Sequence, residues 1–221
     1  SEINKNINVD VDLVGDLSVL LEDLYNRVDK KENKDWREKI KTYKDKEHII
    51  GDDEFHPQNI VALVNKKRGK NTVTVTDVGQ HQMWAAQFYK YTKPRTLLTS
   101  GGLGTMGYGL GASIGAKTGC PKKTVVNIAG DGCFRMNMNE IATATRHNIP
   151  VIQVVINNHV LGMVRQWQNL FYGQRYSATV LNDAVDFVKL AEAMGAVGIR
   201  VTTQEEFKNA FKEAMPLGRP V

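Results

Sequence analysis

Apolar positions in the first fifty residues follow two different periods. Ile7, Val9, Val11 and Leu13 alternate with polar residues, a strand-like period of two, and Val19, Leu20, Leu24 and Val28 then suit a helix. The lysine-dense stretch 29–47 is nearly balanced in charge. Its apolar residues Trp36, Ile40 and Tyr43 fall at i, i+4 and i+7, which predicts an amphipathic helix with Asp35 and Lys39 spaced for a surface ion pair. So short a piece cannot bury its apolar face alone, and residues 1–50 are expected to be the tail of another unit. Gly51 and Pro57 bracket the acids Asp52, Asp53 and Glu54, marking a boundary that divides the chain into 1–50 and 51–221.

Beyond that boundary the pattern alternates between helix and strand. Helical stretches are predicted at 60–65, 80–91, 105–117, 137–147, 161–171, 184–194 and 204–215, and strands at 72–76, 124–129, 151–156 and 197–201. Arg95 to Thr99 is a further short run after Pro94. Apolar strands alternating with helices define an α/β fold, a mostly parallel sheet with helices on both faces. Pro220 and Val221, after the last helix, read as the entrance to one more strand, so both ends are expected to be those of a segment from a longer chain.

Composition narrows the class without naming a function. The 221 residues are 42% hydrophobic and 24% charged, and no run approaches the roughly 18 to 20 apolar residues of a membrane span. The first residues read as mid-domain sequence, and no signal peptide is expected among them. Cys120 and Cys133 make no zinc or disulfide framework, which points to a reducing, cytoplasmic setting. The net charge of +5 would suit nucleic acid, but Lys and Arg number 14 against 15 acids up to residue 70, and 15 against 9 after it. The later cations are scattered singly apart from Lys122-Lys123. Neither a nucleic-acid surface nor a membrane partner is expected.

Chemistry concentrates in three glycine-bearing turns, at Asp77-Val78-Gly79-Gln80-His81, at residues 100–107 and at Gly130-Asp131-Gly132-Cys133. In an open parallel sheet, ligands bind outside the carboxyl ends of the strands, where helix N-termini offer unpaired N–H groups. The second turn contains Gly102-x-Gly104-x-x-Gly107, formally a dinucleotide fingerprint, with Asp131 ending the next strand where a ribose-binding acid would sit. An NAD(P)-binding dehydrogenase domain is therefore an alternative, although it leaves Gly130 and Gly132 unexplained.

The third turn has a partner. Twenty-four residues separate Gly132 from Asn157 and Asn158, at the end of the strand 151–156. A carboxylate and an amide oxygen at neighbouring strand ends can converge on one hard cation. Mg²⁺ suits them, since it takes about six oxygen ligands near 2.1 Å and leaves several to phosphate and water. The flanking glycines would let a diphosphate approach the backbone.

Gly-Asp-Gly followed by about two dozen residues and Asn-Asn resembles the signature of thiamine-diphosphate enzymes. The motifs at 77–84, 102–110 and 161–168 are similar to those of the catalytic large subunit of acetolactate synthase, and the resemblance covers most of the chain. It implies that residues 1–28 end a middle domain and that 51–221 form a pyrophosphate-binding domain short of its last strand. It implies Mg²⁺ on Asp131, Asn158 and the backbone carbonyl of Val160. Thiamine diphosphate would be surrounded by Gln80, His81, Gly104, Thr105, Met106, Gly132, Cys133, Asn158, His159, Val160, Leu161, Gly162 and Met163. Met106 would sit between the cofactor's rings, and Trp167 would line the substrate channel.

The implied activity is decarboxylation of pyruvate and transfer of the two-carbon unit to a second pyruvate or to 2-oxobutyrate, in branched-chain amino-acid biosynthesis. The family's catalytic glutamate lies on an N-terminal domain of the partner subunit, so no catalytic residue is assigned to this chain. Glu140 is not promoted to that role, and residues 1–221 alone are expected to be inactive. The resemblance further implies FAD in the full-length enzyme and a homodimer or tetramer, and it leaves room for a small regulatory subunit. A pyruvate oxidase or decarboxylase is the alternative within the same chemistry; Gln166-Trp167-Gln168 and Gln80-His81-Gln82 favour the synthase.

Overall fold

A computed structural model describes residues 2–45, 55–181 and 184–221. The chain divides into two units, 1–49 and 50–221. The acids Asp52, Asp53 and Glu54 of the expected boundary lie outside the described residues.

The first unit holds two helices, α1 (Leu17–Arg27) and α2 (Lys34–Lys44). Asp16 caps α1, its carboxylate accepting from the Ser18 and Val19 N–H groups. Neither helix has a buried residue. The expected strand over 7–13 does not form. Among the described residues nothing pairs with it, and an unpaired strand leaves its backbone groups to water. The pair expected between Asp35 and Lys39 gives way to a cation–π contact, with the Lys39 ammonium 5.7 Å from the Trp36 ring centroid.

The second unit is built on four parallel strands, β1 (Thr72–Thr76), β2 (Leu97–Thr99), β3 (Thr124–Gly130) and β4 (Ile152–Ile156), in the order β2-β1-β3-β4. Its helices are α3 (Pro57–Lys67), α4 (Gln80–Phe88), α5 (Tyr108–Gly119), α6 (Asp131–Asn137), α7 (Ile141–Arg146), α8 (Gly162–Phe171), α9 (Phe187–Ala193) and α10 (Gln204–Ala214). Side chains alternate across the sheet, so β3 and β4 feed two cores. Val126 and Ile128 of β3 pack with Val61, Val64, Ala85 and Phe211 from α3, α4 and α10. Val125 and Ala129 join Val73 and Val75 of β1 with Leu110, Phe134 and Ile141 on the opposite face. Burial on both faces explains why β1 reads as a continuous β-branched run and why β3 is β-branched or apolar apart from Asn127 and Gly130.

Three expectations are corrected here. The run 197–201 is not a strand: Val197 N–H donates to the Pro220 carbonyl, while Val221 pairs with the edge of β4 through Gln153 N–H and the Val151 carbonyl. Residues 220–221 thus stand between that run and the sheet, too short to carry a ladder. The helix expected at 137–147 is broken by a 3-10 turn, Met138–Glu140, and its first part begins at Asp131 itself, because β3 passes directly into α6. The helix expected over 80–91 stops at Phe88, where Tyr89 turns extended and its hydroxyl accepts from the buried Thr74 hydroxyl at 2.5 Å.

Candidate functional site

The carboxyl ends of β1, β3 and β4 open on one cavity of about 100 Å³. Of the residues singled out from sequence, it brings together Gln80, His81, Met106, Asp131, Gly132, Cys133, Asn158, Val160, Leu161, Gly162 and Met163. Gly104 and Thr105 lie instead on the exposed turn before α5, where their N–H groups bond to Ser100. His159 does not line the cavity, but its backbone N–H supports it. Met163 and Val164 lead into an adjoining cleft of about 640 Å³ lined also by Trp167, Gln168, Tyr172 and Arg175. Trp167 is well exposed there and meets the Phe171 ring edge-on at 5.7 Å.

Asp131 opens α6 and is only 1% exposed. One carboxylate oxygen accepts from Gly132 N–H at 3.0 Å and the other from His159 N–H at 2.9 Å. Burial pushes its pKa up, and those two N–H groups oppose the rise. The partner strand end is adjacent in the sheet, since β3 pairs β4 up to Gly130 opposite Ile156. Asn158 follows two residues later, its amide oxygen accepting from Val160 N–H at 3.1 Å. Residues 159–161 form an antiparallel bridge with 179–181 in which the Leu161 and Leu181 N–H groups donate to Thr179 and His159 carbonyls. Val160 is the residue between, so its N–H and C=O both point away from that neighbour, toward the side where Asn158 lies. A carboxylate, an amide and a carbonyl form an all-oxygen set, the chemistry a hard divalent cation takes. Among the described residues no group of three or more His, Cys, Asp or Glu is placed to hold a metal ion.

Glycines let side chains and backbone pack closely in the walls. A Cβ at Gly132 would come within 2.5 Å of Leu161 Cδ2, and one at Gly162 would collide with the Gln80 side-chain oxygen. Gln80 also spans the cavity mouth, donating from Nε2 to Gln166 Oε1 on α8 at 3.0 Å. His81, 5% exposed, packs against Gly79 and Gly130, where a Cβ would stand 2.9 and 3.1 Å from its ring. Burial lowers its pKa to about 4, partly offset by the Asp77 carboxylate, so the ring is neutral at pH 7. Its Nε2 is buried without a hydrogen-bond partner, an arrangement that costs stability unless something else in the cavity meets it. The Cys133 thiol donates to the Val78 carbonyl at 2.7 Å, and burial with the nearby Asp77 carboxylate pushes its pKa up to about 12. It is a structural donor, not a nucleophile.

Sequence reasoning missed Asp77. It ends the wholly buried β1 and is 2% exposed. Its carboxylate accepts from Val78 N–H at 2.9 Å, Gly107 N–H at 2.9 Å and Gly109 N–H at 3.0 Å. The available signal was an acid directly following five β-branched residues. Glu140, by contrast, is occupied locally, accepting from Thr143 and Asn139.

The dinucleotide alternative fails on topology. Its fingerprint needs the glycine turn and the ribose acid on adjacent strands, whereas here the turn follows β2, the acid follows β3, and β1 lies between them.

Cofactor class and ancestry agree with this geometry. Residues 77–221 match the family described as thiamine pyrophosphate enzyme, C-terminal TPP binding domain, and the chain belongs to that family. Within it, the chain is 41% identical to the "Probable acetolactate synthase large subunit" of Methanococcus aeolicus, over 100% of this chain and 40% of that one. It is 40% identical to the acetolactate synthase large subunit of Haemophilus influenzae, over 98% and 39%. The chain thus spans about two fifths of the length of these curated relatives. In structure it is similar to the thiamine diphosphate-dependent 4-hydroxybenzoylformate decarboxylase of Rhodococcus jostii RHA1. That match has a TM-score of 0.71 at 25% identity and covers 78% of this chain and 32% of that chain.

Proposed function

We propose that this chain is the diphosphate-holding part of an acetolactate synthase large subunit. The observation that carries the reading is the convergence, at the ends of paired strands β3 and β4, of a buried carboxylate and an amide on a glycine-walled cavity with an orphaned imidazole nitrogen. Thiamine diphosphate fits what is there. Asp131, Asn158 and the Val160 carbonyl would hold Mg²⁺, which in turn holds the diphosphate. Backbone at Gly132 and Gly162 would let phosphate oxygens come close. His81 gives its one N–H to the Asp77 backbone carbonyl, so its unpartnered Nε2 would accept from a water or a protonated group of the ligand.

When bound, the cofactor supplies an electron sink at its thiazolium carbon, which allows pyruvate to lose CO₂ and its two-carbon remainder to join a second 2-oxo acid. The chain's own part is to bind and orient. Met106 would support the cofactor from below, and the α8 face with Met163, Val164 and Trp167 would wall the route by which 2-oxo acids enter. The full-length protein would use pyruvate and 2-oxobutyrate, carry FAD, work in the cytoplasm as a homodimer or tetramer, and accept a small regulatory subunit. Among the described residues no helix is long and apolar enough to cross a membrane.

Product analysis of the full-length protein tests the reading. Incubation with pyruvate, thiamine diphosphate, Mg²⁺ and FAD should yield acetolactate. Acetyl phosphate or acetaldehyde as the main product would instead place the chain with the oxidases or decarboxylases.

A further inference from the structure

Asp77 is placed to do more than close a turn. It lies on β1, yet two of its three N–H donors belong to the turn leading into α5, 30 and 32 residues further on. Gly107 is held at both ends: its N–H by the Asp77 carboxylate, and its carbonyl by Asn137 Nδ2 at 2.7 Å. Its φ of +88° and the 2.9 Å that would separate a Cβ there from Met136 Cβ leave no room for another residue. The residue directly before this clamped peptide is Met106, which lines the cavity. At Gly109 a Cβ would come within 2.6 Å of Asn127 Oδ1 and 3.0 Å of Asp77 Oδ2, so backbone reaches the carboxylate where a side chain would block it.

Resting on the cofactor reading above, we propose that Asp77 is a positioning residue that, with Asn137, fixes Met106 against the organic portion of thiamine diphosphate. The groups assigned to Mg²⁺, Asp131 and Asn158, stand at the start of α6 and in the loop after β4, and among the hydrogen bonds described none joins them to the Asp77 carboxylate, whose other neighbours are His81 and the Cys133 thiol. The metal ligands and the Met106 turn are therefore held by different bonds.

An amide at position 77 keeps the shape but offers one acceptor oxygen to donors that now meet two, and its NH₂ faces a backbone N–H. In the full-length protein, Asp77→Asn should weaken Mg²⁺-dependent binding of thiamine diphosphate by about tenfold or more, the effect of leaving one buried donor unmet. Binding of Mg²⁺ with inorganic pyrophosphate alone should stay within about twofold of wild type. Asn137→Ala, at an exposed position outside the cavity lining, should show the same split in milder form. Equal losses for both ligands, or no loss for thiamine diphosphate in either variant, would overturn the positioning role. A wild-type protein that binds neither ligand would overturn the cofactor reading, and this inference with it.

Discussion

Asp131 and His81 illustrate how far a single residue's chemistry can be read from its place in the chain. An acid between two glycines reads by itself as a turn, and it becomes a metal-ligand candidate only when paired with Asn158 at the next strand end; the structure adds the two N–H groups that hold its carboxylate. His81 was legible only through resemblance, because nothing in a helix-borne histidine foretells that Gly79 and Gly130 enclose it. That enclosure has a measurable consequence. The unfolded residue binds a proton near pH 6.5 and the folded one only near 4, so between those values the unfolded state holds more protons. Stability unaffected above pH 6.5 should fall as pH drops through this window, by about 3 kcal/mol in total. Urea midpoints of wild type and His81→Gln at pH 7 and pH 5 check this: the variant should lose less on acidification, and parallel losses would contradict it.

At the scale of elements, strands buried on both faces announced themselves. Residues 72–76 are β-branched throughout and 124–129 are β-branched or apolar except for the buried Asn127, and the structure extends the second only by Gly130. Residues 197–201 also carry β-branched Val197, Ile199 and Val201, with Gly198 and Arg200 between them, but do not share that fate, since strand identity depends on a partner and Val221 occupies the edge of β4. Composition reports what a segment can pair with, not whether a pairing edge is open to it. Asp77 escaped notice for a related reason: its role arises because the sheet order puts β1 beside β3 and the α5 turn above both. Helix α10 was legible because Phe207 and Phe211 sit at i and i+4 behind a Thr203–Glu206 capping box. Phe211 is 3% exposed within the core that holds Val61 and Ile128. Phe211→Ala should cost about 3 to 5 kcal/mol in chemical denaturation. A loss below about 1 kcal/mol would mean that α10 does not close this core.

On the scale of the molecule, the positive charge that first suggests a polyanion partner is dispersed, and the proposed diphosphate site would rest instead on an oxygen cage around Mg²⁺ beside glycine backbone. Most of that cage was visible in the spacing of Asp131 and Asn158, because successive strands of a parallel sheet present their ends on one side. What spacing alone could not show was the direction of the Val160 carbonyl, set by the bridge to residues 179–181. The central claim is that this cavity holds a diphosphate through a divalent cation on Asp131. Calorimetric titration of the full-length protein with thiamine diphosphate, with and without Mg²⁺, tests it most directly when repeated on Asp131→Ala. Wild type should bind only when Mg²⁺ is present, and the variant should lose at least tenfold in affinity, as expected for removal of a metal ligand. Binding that ignores Mg²⁺, or that survives Asp131→Ala undiminished, would contradict the account.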